Sequence, residues 1–228
     1  RCDRWISQGI ERWPRIDIPS SNCNHCPRLA AYRAENHLQH NDWHNAPVPS
    51  FGPLDAQLLI VGLAPGLRGA NRTGRPFTGD YAGNLLYETL IYSGLAQGSY
   101  NGDITDDLAL SNCRITNAVR CVPPKNLPTT EEIKKCRSFL RSEIQAMARL
   151  RAIVALGKIA HDSVLSSYEL RRSKYKFSHG QMHTLDPSLV LFDSYHCSRY
   201  NTNTGRLTSK MFSTVFRDVC TFLHTPIP

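Results

Sequence analysis

The sequence contains no long hydrophobic run. Its apolar segments are only a few residues long, far short of the roughly 18 to 20 residues that a membrane-spanning helix needs. The first residues, RCDRWISQGIERWP, also lack the apolar segment of a signal peptide. These absences argue against a membrane-spanning or secreted protein, so we expect an intracellular protein without a membrane partner.

Acidic residues are fewer than basic ones. The chain of 228 residues has 19 Asp and Glu against 27 Lys and Arg, which gives a formal net charge of +8. A persistent positive field raises the local concentration of polyanions and speeds their capture. The charge therefore favours nucleic acid as a partner, ahead of an anionic membrane surface.

The common nucleotide-binding fingerprints are also missing from the most glycine-rich segment. Residues 62–83 read GLAPGLRGANRTGRPFTGDYAG and match neither the phosphate loop nor the dinucleotide-binding loop. The segment instead combines three arginines with one carboxylate, Asp80, and it directly follows an apolar run. A solvent-exposed irregular loop would explain the glycines, but the order of strand, small-residue turn, cations, aromatic residue and acid indicates a binding loop.

Short apolar runs alternate with segments of helical periodicity. The runs scarcely alternate between apolar and polar residues, as expected for strands that are buried on both faces of a parallel sheet, and they cover 58–63, 113–119, 152–157 and 189–196. Helical spacing marks residues 84–95, 129–150 and 206–223. The second of these segments opens with a capping box from Thr129 to Glu132. This alternation predicts a layered α/β fold in one domain over residues 1–228.

Ligands of open parallel sheets bind at the carboxyl ends of the strands. We therefore expect the functional residues at four strand ends, which are 62–65, 117–120, 157–158 and 196–201. Residues 1–53 precede the first predicted strand, and we interpret them as an N-terminal arm formed by a helix and a loop.

Four of the eight cysteines have the spacing of a metal or cluster site. Cys23 and Cys26 form a C-x-x-C in the arm, whereas Cys121 and Cys136 are separated by 14 residues. Zinc sites usually pair two short knuckles, so an iron-sulfur cluster is the preferred interpretation, with zinc second and a core role for Cys136 third. We interpret the remaining cysteines as structural, namely Cys2, Cys113, Cys197 and Cys220. Of these, we expect Cys113 and Cys220 to be buried.

Three motifs together resemble a known family. GLAPGLRGANRTGRPFTGD, the four cysteines and HCSRYNTNTGRLT are similar to the type B (family 5) members of the uracil-DNA glycosylase superfamily. The resemblance implies a three-layer α/β/α fold with a central, mainly parallel four-stranded sheet. It further implies a structural 4Fe-4S cluster on Cys23, Cys26, Cys121 and Cys136.

The implied activity is monofunctional hydrolytic excision of uracil from DNA in base excision repair. Other deaminated bases such as hypoxanthine are implied as further substrates. On this basis we expect DNA that contains deaminated bases as the partner, a monomer, and a cytoplasmic protein associated with the nucleoid through DNA. An iron-sulfur protein that binds nucleic acid or transfers electrons without excision is the alternative.

The resemblance also assigns roles to individual residues. Phe77 matches the aromatic residue that stacks on the flipped base, and Asn117 matches the asparagine that reads its edge. Gly62 and Ala64 belong to the turn that approaches the base. For Phe77 the competing role is core packing, and for Asn117 it is satisfying the backbone of a buried strand end.

Asp80 and His196 are the predicted catalytic residues. His196 matches the histidine that contacts the departing base, where negative charge develops. Asp80 can orient water and stabilise the cationic sugar, or it can simply cap a helix. Candidates for contacts to DNA are the basic residues of the glycine-rich loop and the second-motif residues that follow the histidine, namely Arg68, Arg72, Arg75, Ser198, Arg199, Tyr200 and Asn201.

Overall fold

A computed structural model describes residues 16–224 of the chain, so Cys2 and the start of the N-terminal arm lie outside the described residues. In chain order the strands are β1 Leu58–Gly62, β2 Ala96–Gln97, β3 Ala109–Leu110, β4 Cys113–Asn117, β5 Ala152–Leu156, β6 Met182–Asp186 and β7 Leu189–Ser194. The α-helices are α1 Pro27–Gln39, α2 Ala70–Thr73, α3 Tyr81–Tyr92, α4 Thr130–Ala146, α5 Lys158–Ser167, α6 Arg199–Asn203 and α7 Ser209–His224.

The central sheet has the strand order β4-β1-β5-β7-β6. The first four strands pair in parallel, and β6 pairs antiparallel with β7 at the edge. The predicted α/β class and the mainly parallel sheet are confirmed, and all four apolar runs form strands. The sheet has five strands rather than four, because β6, with the sequence MHTLD, is a half-exposed edge strand without an apolar run.

Two apolar cores cover the two faces of the sheet. Side chains that alternate along β1 point to opposite faces, so Leu58 and Ile60 join one core while Leu59 and Val61 join the other. The first core packs against α3 and α7, and the second packs against α4 and α5. Burial on both faces explains why the strands are continuously apolar.

Helix caps are encoded as the sequence predicts. At the start of α4, the backbone N–H of Glu132 donates to Oγ1 of Thr129 at 3.3 Å. The Glu132 carboxylate accepts from the backbone N–H of Thr129 at 2.8 Å, which completes the capping box. Helix α3 starts after Asp80, whose carboxylate accepts from the backbone N–H of Gly83 at 3.2 Å. The cap therefore fixes a predicted catalytic residue in the fold.

Parallel pairing brings four strand ends to the same edge of the sheet. Gly62 and Asn117 are register partners at the ends of β1 and β4. Beyond them, the backbone N–H of Ala118 donates to the carbonyl of Gly62 at 2.9 Å. At β5, the N–H of Gly157 donates to the carbonyl of Ser194 on β7 at 2.8 Å. This edge carries the predicted functional residues.

Of the cysteines interpreted as structural, the three within residues 16–224 lie in the first core or against it. Cys113 and Cys197 are fully buried, and Cys220 is half-buried. Within residues 16–224, each helix is too short or too polar to cross a lipid bilayer.

Candidate active site

The ends of β1 and β4 converge on the ring of Phe77, and we call the place where they meet the pocket. A Cβ atom at Gly62 would collide with Oδ1 of Asn117 and would lie 2.6 Å from Cζ of Phe77, so glycine is required for the two side chains to meet there. Asn117 is almost fully buried, yet its Oδ1 atom has no hydrogen-bond partner. A buried amide oxygen without a partner is costly, which indicates that it awaits a donor from a ligand.

Phe77 adopts a left-handed backbone conformation with φ of 52°, which is rare for a residue with a side chain. Tyr87 and Tyr100 hold this segment: the Tyr87 hydroxyl donates to the carbonyl of Pro76 at 2.6 Å, and the Tyr100 hydroxyl donates to that of Phe77 at 3.2 Å. The Phe77 ring is buried and contacts the first core, so core packing and a position over the pocket occur together.

His196 faces the same pocket from the end of β7. Its ring lies 5.9 Å from the ring of Phe77, with only 29° between the planes. Burial lowers the pKa of His196 to about 4, so the imidazole is neutral at physiological pH. Asn201 fixes the turn, because its side-chain amide donates to the carbonyl of His196 at 2.8 Å.

Two glycines surround the carboxylate of Asp80. A Cβ at Gly69 would lie 2.5 Å from Oδ2 of Asp80, and one at Gly66 would lie 3.0 Å away. Burial raises the pKa of Asp80, and hydrogen bonds from the backbone of Gly83 and Ala82 offset part of that effect. Asp80 is thus both a helix cap and a desolvated carboxylate without an arginine or lysine partner among its described contacts.

The three arginines of the glycine-rich loop have different environments. Arg68 is exposed, and Arg72 is half-buried with its guanidinium beside Gly79. Arg75 is buried and forms a two-pronged ion pair with Asp106 at 2.6 and 2.7 Å. The prediction of a DNA contact for Arg75 is therefore wrong, because its charge is neutralised inside the protein, where a phosphate has no access.

Four cysteines from three segments line one enclosed site. Cys23 and Cys26 lie at the start of α1, Cys121 lies in the loop after β4, and Cys136 lies on α4. Two N–H groups point at sulfur: Arg33 Nη1 lies 3.0 Å from Cys121 Sγ, and the backbone nitrogen of Arg120 lies 3.3 Å from Cys136 Sγ. Burial raises the pKa of Cys121 to about 12 and that of Cys136 to about 11.

Comparison with known proteins identifies the family. Residues 49–220 match the family model of the Uracil DNA glycosylase superfamily. The chain is 44% identical over 203 residues to the type-5 uracil-DNA glycosylase of Thermus thermophilus, covering 86% of this chain and 91% of the relative. It is 40% identical over 221 residues to the type-5 uracil-DNA glycosylase of Mycobacterium leprae, covering 93% of this chain and 96% of the relative.

The chain belongs to the uracil-DNA glycosylase superfamily. The type-5 enzyme of Pyrobaculum aerophilum is also similar, at 41% identity over 200 residues, covering 86% of this chain and 87% of the relative. The resemblance drawn from the three sequence motifs is confirmed. The chain is accordingly a hydrolase that acts on N-glycosidic bonds.

The structure brings Gly62, Phe77, Asn117 and His196 together, and it distributes the other predicted residues around them. The Ala64 methyl group packs against the cysteine-lined cluster, so any base contact from Ala64 would come from its backbone. Ser198 caps α6 by accepting from the backbone N–H of Asn201. On the same helix, Arg199 lies 5.2 Å from the ring of Tyr81 and Tyr200 is 72% exposed, so both side chains lie at the surface.

Sequence reasoning missed the residues that hold these groups in place. Tyr87 and Tyr100 had no motif around them, and their role depends on packing across 11 and 23 residues. Gly66 and Gly69 were recognised as part of a permissive loop, but the individual contact of each glycine with Asp80 was not. A close approach of this kind depends on tertiary structure and has no local sequence signal.

Proposed function

We propose that this protein removes uracil from DNA by binding the extruded base under Phe77 and hydrolysing its N-glycosidic bond. The observation that carries the proposal is the buried, unpartnered Oδ1 of Asn117 beneath the Phe77 ring. A side-chain amide can accept and donate at once, as the edge of uracil requires. Extrusion costs a few kcal/mol, and stacking on an aromatic face recovers part of that cost.

Bond cleavage places negative charge on the departing base. A neutral imidazole can donate an N–H to the base oxygen, and the low pKa of His196 keeps it in that form. The donor is fixed before the reaction, because the His196 backbone is held by Asn201 and its ring lies against Phe77. Such preorganised donors stabilise the charge that develops in the transition state.

Asp80 interacts with the positive charge that develops on the sugar. The sugar becomes cationic as the base departs, and a carboxylate beside it stabilises this cation and orients the attacking water. The helix cap fixes Asp80, while Gly66 and Gly69 keep space around its second oxygen. Both predicted roles of Asp80, cap and catalyst, are thus compatible in one position.

The DNA backbone is held by exposed and half-buried groups around the pocket. Arg68 and Arg72 lie on the segment before Phe77, and Arg199 and Tyr200 lie on α6, which follows His196. With a net charge of +8, the chain also attracts DNA at longer range. Tyr200 is our candidate for filling the space that the extruded base leaves.

The four cysteines fit an iron-sulfur cluster better than a single metal ion. Ligands of one zinc ion lie about 3.8 Å apart, as Zn–S bonds of about 2.3 Å in a tetrahedron require. In residues 16–224, the groups with three ligand atoms within 4.8 Å do not include these cysteines. A 4Fe-4S cluster separates its thiolates more widely and is stabilised by N–H donors to sulfur, as from Arg33 and Arg120.

Cys23, Cys26, Cys121 and Cys136 would hold this cluster, which would fasten the arm to α4 and to the loop after β4. The purified protein should contain four iron and four sulfide ions per chain, and Cys136→Ala should lose them. Stoichiometric zinc instead of iron would overturn this assignment.

The substrate range extends to hypoxanthine and other deaminated bases in this proposal. The test is single-turnover cleavage of duplexes that carry one uracil, hypoxanthine or thymine, with alkali to reveal abasic sites. Asn117→Ala should lose uracil release by about 10²- to 10³-fold while keeping its affinity for undamaged DNA. Asn84→Ala, an exposed asparagine on α3, is the matched control and should behave as the wild type.

Absence of abasic product from every duplex would overturn the proposal, provided that the protein is folded and binds DNA. The alternative of a nucleic-acid-binding or electron-transfer protein without excision predicts that result. Family membership already favours the hydrolase.

A further inference from the structure

A second cavity opens beside the pocket, at the ends of β1, β5 and β7. It has a volume of about 300 Å³ and shares His196, Leu63 and Asn201 with the surroundings of the pocket. Its remaining wall comes from Phe177 and Tyr195, with Lys158 and Arg206 among its lining residues. The mechanism proposed above uses His196 and Asn201, but it gives no role to the other side chains that line this cavity.

The wall of the cavity is aromatic. The rings of Phe177 and Tyr195 are 6.1 Å apart, and the ring of His179 stacks on Tyr195 at 5.0 Å. The guanidinium carbon of Arg206 lies 4.5 Å from the centre of the Tyr195 ring. Half-buried rings of this kind expose part of their surface to the cavity, which suits a flat aromatic ligand.

A buried network fixes the segment that carries Phe177. Asp193 on β7 is fully buried and accepts from His161 Nδ1 at 2.7 Å, His183 Nε2 at 3.0 Å and the backbone N–H of Ser178 at 3.3 Å. The other ring nitrogen of His161 lies 2.9 Å from the carbonyl of Tyr175. A carbonyl oxygen only accepts, so His161 donates from Nε2 to Tyr175, while its Nδ1 atom is hydrogen-bonded to Asp193.

Phe177 lies between Tyr175 and Ser178, the two backbone contacts of this network. Its ring also packs edge-on against His161 at 5.6 Å. These hydrogen bonds hold the backbone on both sides of Phe177 in place. The network therefore holds an aromatic ring at the cavity wall before any ligand binds.

The surroundings of the cavity are cationic. Lys158 and Arg206 are exposed, and the segment leading to Phe177 adds exposed Arg171, Lys174 and Lys176. Lys158 pairs with Asp162 at 2.8 Å, but an exposed pair of this type is weak and leaves the charge available to a phosphate. An aromatic wall with a cationic rim is the combination that binds an unstacked nucleotide.

We propose that this cavity binds the base of a second nucleotide, a near neighbour of the excised uracil in the same strand, by stacking on Phe177. The proposal rests on the proposed function, because the shared His196 wall places the cavity next to the reacting nucleotide. Two adjacent sites for unstacked bases favour single-stranded or locally open DNA as the substrate.

The test is a double-mutant cycle. One change removes the base of a nucleotide next to the target, and the other removes the aromatic ring of Phe177. Binding is measured with oligonucleotides whose target is 2′-fluorinated deoxyuridine, which resists cleavage, and whose neighbours are replaced in turn by an abasic analogue. At one neighbouring position, loss of the base should weaken binding by the wild type about 5- to 150-fold. Phe177→Leu, which removes the ring but keeps an apolar side chain, should reduce that penalty to less than about 2-fold.

Controls separate stacking from misfolding and from failure of the proposed function. Phe177→Tyr should retain the penalty, and Tyr92→Ala, which removes an 88% exposed aromatic side chain on α3, should leave it unchanged. Because binding is measured without cleavage, the cycle gives an answer even if uracil is not released. The same penalty in the wild type and in Phe177→Leu at every position, or no penalty in the wild type, would overturn the proposal.

Discussion

Two regions of the molecule bury a carboxylate in opposite ways. On α4, Glu143 is fully buried and accepts from Arg114 at 2.7 Å and from Arg120. Burial alone would raise the pKa of Glu143, but the positive charges of Arg120 and Arg114 hold it below its ordinary value. At the strand ends, Asp80 has backbone donors only, and burial raises its pKa.

The difference separates a carboxylate that supports the fold from one that is available for chemistry. Glu143 has its charge compensated twice, so a further cation would gain little from it. Within residues 16–224, Asp80 has no such cation beside it, and in the proposed mechanism it faces the sugar that becomes cationic. Desolvated groups without a partner are characteristic of functional sites.

The largest effect should follow from removing the Asp80 charge. We expect Asp80→Asn to lower single-turnover uracil release by about 10²- to 10⁴-fold, because the sugar cation loses its stabilising carboxylate. The amide can still cap α3, so the urea midpoint should stay near that of the wild type. Asp55→Asn, which changes an exposed aspartate, is the control. Full activity of Asp80→Asn would show that the carboxylate acts only as a cap.

Removing the Glu143 charge should affect stability instead. Glu143→Gln leaves Arg114 and Arg120 without their shared partner and should reduce the free energy of unfolding by about 3 to 5 kcal/mol. Glu169→Gln breaks an exposed pair with Arg141 and should cost less than about 1 kcal/mol. Urea unfolding measures both changes. If the folded Glu143→Gln enzyme loses its cleavage rate at unchanged stability, the distinction between the two regions fails.

A smaller effect is expected from displacing Asp80 without removing it. Gly69→Ala places a methyl group 2.5 Å from Oδ2 of Asp80 and should lower the cleavage rate by about 10- to 100-fold, since small misplacements of a catalytic group are costly. Combined with Asp80→Asn, the same substitution should add little further loss. Equal losses in both backgrounds would mean that Gly69 acts independently of the carboxylate.

The effect that is smallest at neutral pH comes from the titration of His196. The pKa of His196 is about 4 in the folded protein and about 6.5 in an unfolded chain, so the unfolded state binds more protons between these values. Stability should therefore fall as the pH drops from about 6.5 to 4, and His196→Gln should flatten this part of the profile. Urea midpoints measured across this range test the prediction. An unchanged slope in His196→Gln would place the titration elsewhere.

The comparison also shows which parts of the structure could be predicted. The four parallel strands follow from continuous apolar runs, because burial on both faces removes polar residues from a strand. The fifth strand, β6, lies at the edge with half its surface exposed, so its sequence carries no such signal. Its pairing with β7 forms only when the chain folds back after Asp186.

The residues of the pocket that lie at strand ends could be predicted from the sequence. Gly62, Asn117 and His196 follow directly from the ends of predicted strands, and parallel pairing gathers them. Arg75 could not be distinguished from Arg68 and Arg72, since its fate depends on Asp106, 31 residues away. Phe177 and Tyr195 meet from different segments, and neither belongs to a motif.

The backbone of Phe77 has a consequence for how such an enzyme can be stabilised. A side chain in the left-handed region costs about 1 to 2 kcal/mol per residue, a cost that glycine would avoid. Glycine would, however, leave a cavity in the first core, where the buried ring packs, and truncation of a buried phenylalanine costs about 3 to 5 kcal/mol. Core packing thus offsets the local strain, so a substitution made only to relieve the backbone at this position should lower the thermal stability of the protein.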